Sequence, residues 1–154
     1  MLYLWLKYIH ILSSTILFGT GIGTACVMLY GHVRKNMDVR AGINQYVVFV
    51  DWLFTGISGV LQPITGFWMV YLAGYPLTSL WLMGSILGYV ITAFCWFPVV
   101  YLQIKISRMT TYAAQTHSLL PPTYYYYFKI WIVLGCIAFV SLLVVFYLMV
   151  MKPF

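Results

Sequence analysis

A histidine lies within the first long apolar stretch of this chain, where side chains with ligand or proton chemistry are rare. His10 is about 12 Å into the stretch at the helical rise per residue, and Lys7 precedes it by one turn on the same face. Gln62 reaches a similar depth, about 15 Å, from the opposite direction. A neutral imidazole ligates haem iron or relays protons. We therefore expect His10, Lys7 and Gln62 to form a cofactor site; the alternative is a plain hydrogen bond between helices.

The other histidines restrict how a haem could be held. His32 is about 33 Å from His10 along the same helix, so the two cannot ligate one iron. A four-helix cytochrome with paired axial histidines needs a second histidine at the depth of His10, and the sequence has none there. We therefore predict that a haem b or other porphyrin would take His10 as its iron ligand, with a weak or absent second ligand.

Asp51 is an ionisable residue inside another apolar stretch. The chain has only two acidic residues, Asp38 and Asp51, and Asp51 lies about 8–10 Å into the second stretch. An intramembrane carboxylate is costly and is usually paired. Lys129 lies at comparable depth in the last stretch. We therefore predict an Asp51–Lys129 ion pair, or a pair between Asp51 and a loop arginine (Arg34, Arg40 or Arg108). The alternative is a proton or substrate role for the carboxylate.

The elements that must position these residues are membrane spans. Charged residues make up 6% and hydrophobic residues 64% of the chain, whereas a soluble domain carries about 25% charged residues. A membrane helix needs roughly 20 apolar residues. Four segments meet this requirement: 2–31, 46–73, 79–103 and 124–151. We predict an all-α membrane protein, a single four-transmembrane-helix bundle over residues 1–154, in contact with the lipid bilayer.

The basic residues indicate the orientation of the bundle. The loop after the first span carries Arg34, Lys35 and Arg40, and the loop after the third carries Lys105 and Arg108. Cytoplasmic loops are enriched in lysine and arginine, so we predict that both termini lie on the non-cytoplasmic side. The net charge of +6 is therefore a topology signal, and we expect no binding of nucleic acid.

Two Gly-x-x-x-Gly pairs predict close contacts between helices. Gly19 and Gly23 lie in the first span, and Gly84 and Gly88 lie in the third. Small residues let helices approach closely in lipid, where no hydrophobic force drives them together. These faces would pack the bundle itself, or else bind the partner helices of a homo-oligomer or a larger membrane complex.

Several segments occur in an order that carries a family resemblance. They include residues 5–11 (WLKYIHI), 62–66 (QPITG), 100–104 (VYLQI) and 148–153 (LMVMKP). Together they resemble the bacterial integral-membrane family catalogued as domain of unknown function 2269, over essentially the whole chain. That family has no settled activity. The resemblance therefore implies a multi-pass protein of the bacterial inner membrane and leaves the function open.

A more distant resemblance involves the two ends of the chain. The run Trp5-Leu6-Lys7 followed by His10-Ile11, and the closing Lys152-Pro153-Phe154, are similar to the membrane-bound protoporphyrinogen oxidase (HemJ-type) family. That family is a four-helix, haem-associated oxidase in which the matching histidine is functionally important. It also uses an intramembrane lysine in a later span, and here the third span has no charged residue before Lys105. The resemblance implies a porphyrin-sized pocket at His10 but not the oxidase activity.

Three hypotheses for the function follow from these residues. The first is a haem- or porphyrin-binding, redox-linked protein of the bacterial inner membrane that uses His10. The second is a non-catalytic transmembrane subunit or assembly factor of a larger complex. The third, a small transporter or channel using Asp51, is disfavoured because no second charged residue continues a path across the core. The chain has no HExxH, Walker, GxSxG or dinucleotide-binding motif, so hydrolase, kinase and nicotinamide chemistry are unsupported.

Overall fold

The computed structural model describes residues 1–153 and is helical, with no strand among them. Phe154, the last residue of the closing Lys-Pro-Phe motif, lies outside the described residues. The elements are α1 (Leu2–His32), α2 (Met37–Val50), a π-helical turn (Asp51–Gly56), α3 (Ile57–Ala73), α4 (Leu80–Thr116) and α5 (Pro122–Met151). The segment from α2 to α3 is one continuous helix, Met37–Ala73, so the described residues contain 4 helices that are long and apolar enough to cross a membrane. The prediction of four membrane-length helices is confirmed.

Two of the helices extend well beyond the predicted spans. The second begins at Met37 instead of residue 46, and α4 continues past Gln103 to Thr116. Asn36 caps the second helix, since its side chain accepts hydrogen bonds from the backbone N–H groups of Asp38 (2.9 Å) and Val39 (3.2 Å). Hydropathy marks where a helix leaves the apolar region, whereas capping groups decide where it ends.

The helices pack pairwise, with α1 on α3 and α4 on α5, while α2 packs on both α4 and α1. We call the end of the bundle that holds the α1–α2 and α4–α5 connections the loop end, and the opposite end the terminal end. The hydrophobic core lies toward the loop end and joins α1, α2, α4 and α5. Its buried members are Met28, Val47, Leu102, Ile106, Tyr124, Phe128 and Trp131.

The loop end is also closed by polar and aromatic contacts. Arg40 donates hydrogen bonds to the backbone carbonyls of His32 (2.7 Å) and Arg34 (2.5 Å), which satisfies the end of α1. His32 stacks on Phe128 with ring centroids 3.9 Å apart, and its Nδ1 lies 3.0 Å from the hydroxyl of Tyr124. His32 therefore joins α1 to α5 at the loop end.

The two glycine pairs have different environments. A Cβ on Gly84 would lie 2.9 Å from Leu148, and one on Gly88 would lie 2.7 Å from Val145, so this pair lies directly against α5. A Cβ on Gly19 or Gly23 would have no neighbour within 4 Å among residues 1–153. The second pair thus packs the bundle, whereas the first faces open space.

This difference predicts that two matched substitutions change the stability by unequal amounts. Gly88→Leu should lower the free energy of unfolding by about 1–3 kcal/mol, because the new side chain overlaps Val145, which is stiff at χ1. Gly19→Leu should leave it within about 0.5 kcal/mol of the unsubstituted protein. Reversible unfolding in mild detergent measures both. Equal losses for the two variants would contradict the packing described here.

Candidate functional site

The polar residues of the terminal half form one cluster between α1 and α3. Nδ1 of His10 lies 2.7 Å from Oγ1 of Thr65. Nε2 of Gln62 donates to the backbone carbonyl of His10 (2.9 Å) and to Oγ of Ser13 (2.5 Å). The structure therefore brings Gln62 to His10, as the depth argument predicts, but the contact is with the histidine backbone and the imidazole binds Thr65 instead.

The hydrogen bonds of Thr65 assign the proton on the imidazole. Oγ1 of Thr65 lies 2.6 Å from the backbone carbonyl of Leu61, to which its single hydrogen is donated. Oγ1 is then the acceptor toward His10, so Nδ1 of His10 carries the hydrogen. Nε2 of the neutral ring keeps its lone pair, and it has no hydrogen-bond partner among residues 1–153. The half-buried imidazole thus has a fixed tautomer and one ring nitrogen available to a ligand.

Lys7 and Gly66 complete the surroundings of His10. Lys7 is exposed one turn before the histidine. A Cβ on Gly66 would lie 3.3 Å from Cε1 of His10, so α3 approaches the ring edge closely at this glycine. Thr65 was not predicted as a site residue. It lies three residues after Gln62 and therefore shares a helical face with it.

Asp51 lies at the centre of a second cluster, nearer the loop end. The residue is 5% exposed. Oδ1 accepts hydrogen bonds from Oγ1 of Thr24 (2.8 Å) and Oγ1 of Thr55 (3.1 Å), and Oδ2 accepts one from Nε2 of Gln103 (2.6 Å). Residues from α1, the π-helical turn and α4 therefore converge on one carboxylate, and these partners are all uncharged.

The predicted ion pair between Asp51 and Lys129 is not formed. Lys129 is exposed on α5, whose buried residues are Tyr124, Phe128 and Trp131. It follows Phe128 by one residue, about 100° around the helix, and so points away from the bundle. Similar depth in the membrane was the basis of the prediction, but depth says nothing about the direction of a side chain around its helix.

The Asp51 cluster depends on an irregular turn that the sequence analysis did not anticipate. Asp51 is the first residue of the π-helical turn, and Thr55 lies four residues later in it. π-helical turns are rare and occur frequently at functional sites. Both residues are buried, so the widened turn brings a carboxylate and a hydroxyl to the same interior face.

An open groove runs along α1 beside this second cluster. Its volume is about 560 Å³, and its α1 wall includes Gly19, Thr20, Gly23 and Thr24. A second groove, of about 290 Å³, meets it at Ile16 and Phe54 and extends between α1 and α3. Thr24 belongs both to the wall of the first groove and to the Asp51 cluster.

Membrane-length helices that enclose separate polar clusters define a polytopic helical membrane protein. The family described as predicted integral membrane protein (DUF2269) matches residues 4–153, so the chain belongs to that family. No curated protein and no solved structure matches it. The resemblance to the HemJ-type oxidases stays a prediction.

The contact between Ser13 and Gln62 can be measured by a double-mutant cycle. We expect Ser13→Ala and Gln62→Leu to show a coupling free energy of about 0.6 kcal/mol and no more than about 1.7 kcal/mol, the average and the maximum found for hydrogen bonds between membrane helices. Unfolding of the two single variants and the double variant in mild detergent provides the values.

A matched control is the exposed pair Gln45 and Thr111, whose side chains are 2.9 Å apart. Water competes for these groups, so the cycle with Gln45→Leu and Thr111→Ala should give a coupling below about 0.3 kcal/mol. A coupling for Ser13 and Gln62 no larger than this control would show that their hydrogen bond does not stabilise the α1–α3 interface.

Proposed function

We propose that this protein binds a haem-type porphyrin through Nε2 of His10 and takes part in redox chemistry in the bacterial inner membrane. The observation that carries the proposal is the hydrogen-bond arrangement at the ring. Nδ1–H of His10 donates to Oγ1 of Thr65, and the hydroxyl of Thr65 donates its hydrogen to the backbone carbonyl of Leu61. Nε2 of His10 has no hydrogen-bond partner among the described residues. Histidines that ligate metals typically donate their other ring N–H to an acceptor in this way.

Two neighbouring residues support the proposal, although neither of the two grooves is lined by His10. Gln62 holds the backbone of His10 to α3, and Lys7 offers a cation one turn away for a propionate group. His32 ends α1 and His117 follows α4, both at the loop end, so His10 would be the single histidine ligand. Bound haem iron supplies one-electron chemistry. The role of this chain would be to orient and anchor the porphyrin.

The location and orientation are part of the same proposal. Basic residues cluster toward the loop end. Arg34, in the α1–α2 connection, lies over the ring of Tyr30 (3.8 Å), and Lys105, in the loop-end part of α4, lies over the ring of Tyr101 (4.8 Å). Basic loops with interfacial tyrosines are typical of the cytoplasmic side of a bacterial inner membrane. They support an orientation in which His10 lies in the outer half of the bilayer.

The porphyrin proposal predicts a spectroscopic difference between matched histidine variants. Protein purified with haem, or titrated with haemin in nanodiscs, should show a Soret band that His10→Ala abolishes and His117→Ala retains, because His117 is exposed beyond α4. Thr65→Val keeps the size of the side chain but removes the acceptor for Nδ1–H. It should weaken haem binding about 10- to 100-fold.

Two results would contradict the proposal. One is a folded protein that binds no haem in the titration. The other is a Soret band of equal intensity and position in the unsubstituted protein and in His10→Ala, since haem would then be bound elsewhere or nonspecifically.

A second candidate function, a non-catalytic subunit of a larger membrane complex, rests on the groove at Gly19 and Gly23. The groove follows α1 from Thr15 to Val27, about 18 Å or three helical turns, and is faced by Tyr46, Val50 and Phe54. A methyl group added to either glycine would have no neighbour within 4 Å, although small residues at this spacing favour close helix contact. This length is sufficient for about three turns of a transmembrane helix of another subunit to pack along α1.

Native mass spectrometry of the protein extracted in mild detergent tests this candidate. A stoichiometric partner should be lost in Gly19→Leu, whose side chain would fill the groove, and retained in Gly135→Leu, which alters a glycine of α5 that also lacks neighbours within 4 Å. Equal partner content in both variants would contradict the assignment. A second copy of this chain in place of the partner would indicate self-association instead.

A further inference from the structure

Three residues of α4 form a stripe of one tyrosine and two cations toward the loop end of the bundle. Tyr101, Lys105 and Arg108 follow one another at intervals of four and three residues, which places them on one helical face. Tyr101 and Arg108 are exposed. Gln103 and Thr110 lie about 150° around the helix from Lys105, and both are buried. The stripe therefore faces away from the core of the bundle.

The ammonium group of Lys105 is held in this stripe by rings from two helices. Its Nζ lies 4.8 Å from the ring centroid of Tyr101 and 5.5 Å from that of Tyr127 on α5. Both distances are within the range of cation–π attraction, which extends to about 6 Å. The two rings therefore fix the position of the ammonium group, but they leave its positive charge unbalanced because an aromatic ring carries no net charge.

No acidic side chain lies near enough to balance the two cations. The sequence has no aspartate or glutamate after Asp51, so α4 and α5 carry none. Asp38 begins the second helix, and the antiparallel packing of α2 on α4 places it beside the end of α4, about 12 Å along the axis from Arg108. Lys105 and Arg108 are three residues apart on one helix and therefore repel each other. An anion placed between them would remove this repulsion.

The same face of α4 continues toward the terminal end as an exposed apolar surface. Its side chains recur at intervals of four and three residues and are Val90, Phe94 and Phe97. From Val90 to Tyr101 the rise along the helix is about 16 Å, close to half the thickness of the hydrocarbon core. The predicted span ends two residues before Lys105, so the two cations lie about 3 and 8 Å beyond the apolar region. That is the level of the phospholipid headgroups.

We propose that Lys105 and Arg108, together with the rings of Tyr101 and Tyr127, bind the phosphate group of an anionic phospholipid whose acyl chains lie along this apolar face of α4. The planar guanidinium group of Arg108 suits contact with two phosphate oxygens, and the ammonium group of Lys105 contributes a point charge. Basic sites between membrane helices at this depth bind the headgroups of anionic lipids. A free phosphate would use only the two cations, whereas a phospholipid also covers the apolar face.

Native mass spectrometry of the protein, delipidated in mild detergent and titrated with phosphatidylglycerol in ammonium acetate at about physiological ionic strength, tests the site. We expect a single tightly bound phosphatidylglycerol per chain. Phosphatidylcholine with the same acyl chains should bind at least about tenfold more weakly, because its quaternary ammonium group balances the phosphate charge and is repelled by the two cations.

The basic residues of α4 and α5 provide matched variants. Lys105→Gln and Arg108→Gln should each weaken phosphatidylglycerol binding about fivefold, and the double variant about 25-fold, as expected for the loss of one and two cations near a phosphate. Lys129→Gln removes the same charge from an exposed position on the opposite side of α5 from Tyr127. It should change the affinity less than about twofold, because exposed charges more than about 8 Å apart are largely screened at physiological ionic strength.

Equal affinities for phosphatidylglycerol and phosphatidylcholine would overturn the proposal. An equal loss of affinity in Lys105→Gln and Lys129→Gln would overturn it as well, because net charge alone would then explain the binding. Inorganic phosphate in about 100-fold molar excess should leave the lipid bound, since free phosphate makes no contact with the apolar face. Displacement of the lipid by inorganic phosphate would assign the site to a free phosphate and contradict the assignment to a phospholipid.

Discussion

The structure depends on one constraint, which is that the bilayer core offers no water to hydrogen-bond. Backbone polar groups are therefore satisfied within long helices, and polar side chains bond either to a carbonyl of their own helix, as Thr65 does to Leu61, or to a partner on a neighbouring helix. The contact from Gln62 to Ser13 and the contact from Gln103 to Asp51 are of this kind, and each joins two helices. Outward-facing positions are left to apolar side chains such as Phe94 and Phe97.

The same constraint separates the protein into two polar regions with different chemistry. At His10 the hydrogen bonds leave a nitrogen lone pair available on a ring of fixed tautomer. At Asp51 they direct two hydroxyl groups and an amide N–H at one buried carboxyl group. The loop-end core, with Tyr124 and Phe128 at its centre, joins the helices that carry these regions.

Sequence patterns predicted the parts of this arrangement that depend on composition and depth. Hydropathy located the four membrane helices, and depth paired Gln62 with His10. Neither hydropathy nor depth specifies how a helix is rotated about its axis. For this reason the sequence predicted an ion pair between Lys129 and Asp51, although Lys129 points away from the bundle. For the same reason it did not predict the hydrogen bond between Thr65 and the His10 ring. The two glycine pairs are equivalent in sequence and differ only in what lies opposite them.

The sequence by itself determined that this is a helical membrane protein with isolated polar residues in its apolar interior, because a long apolar run can satisfy its backbone in lipid only as a helix. The tertiary structure alone decided which polar atoms meet. The π-helical turn at Asp51, the acceptor for His10 and the unpartnered oxygen of Gln103 follow from helix rotation and packing. Those are set by contacts between residues far apart in the chain, which no local pattern encodes.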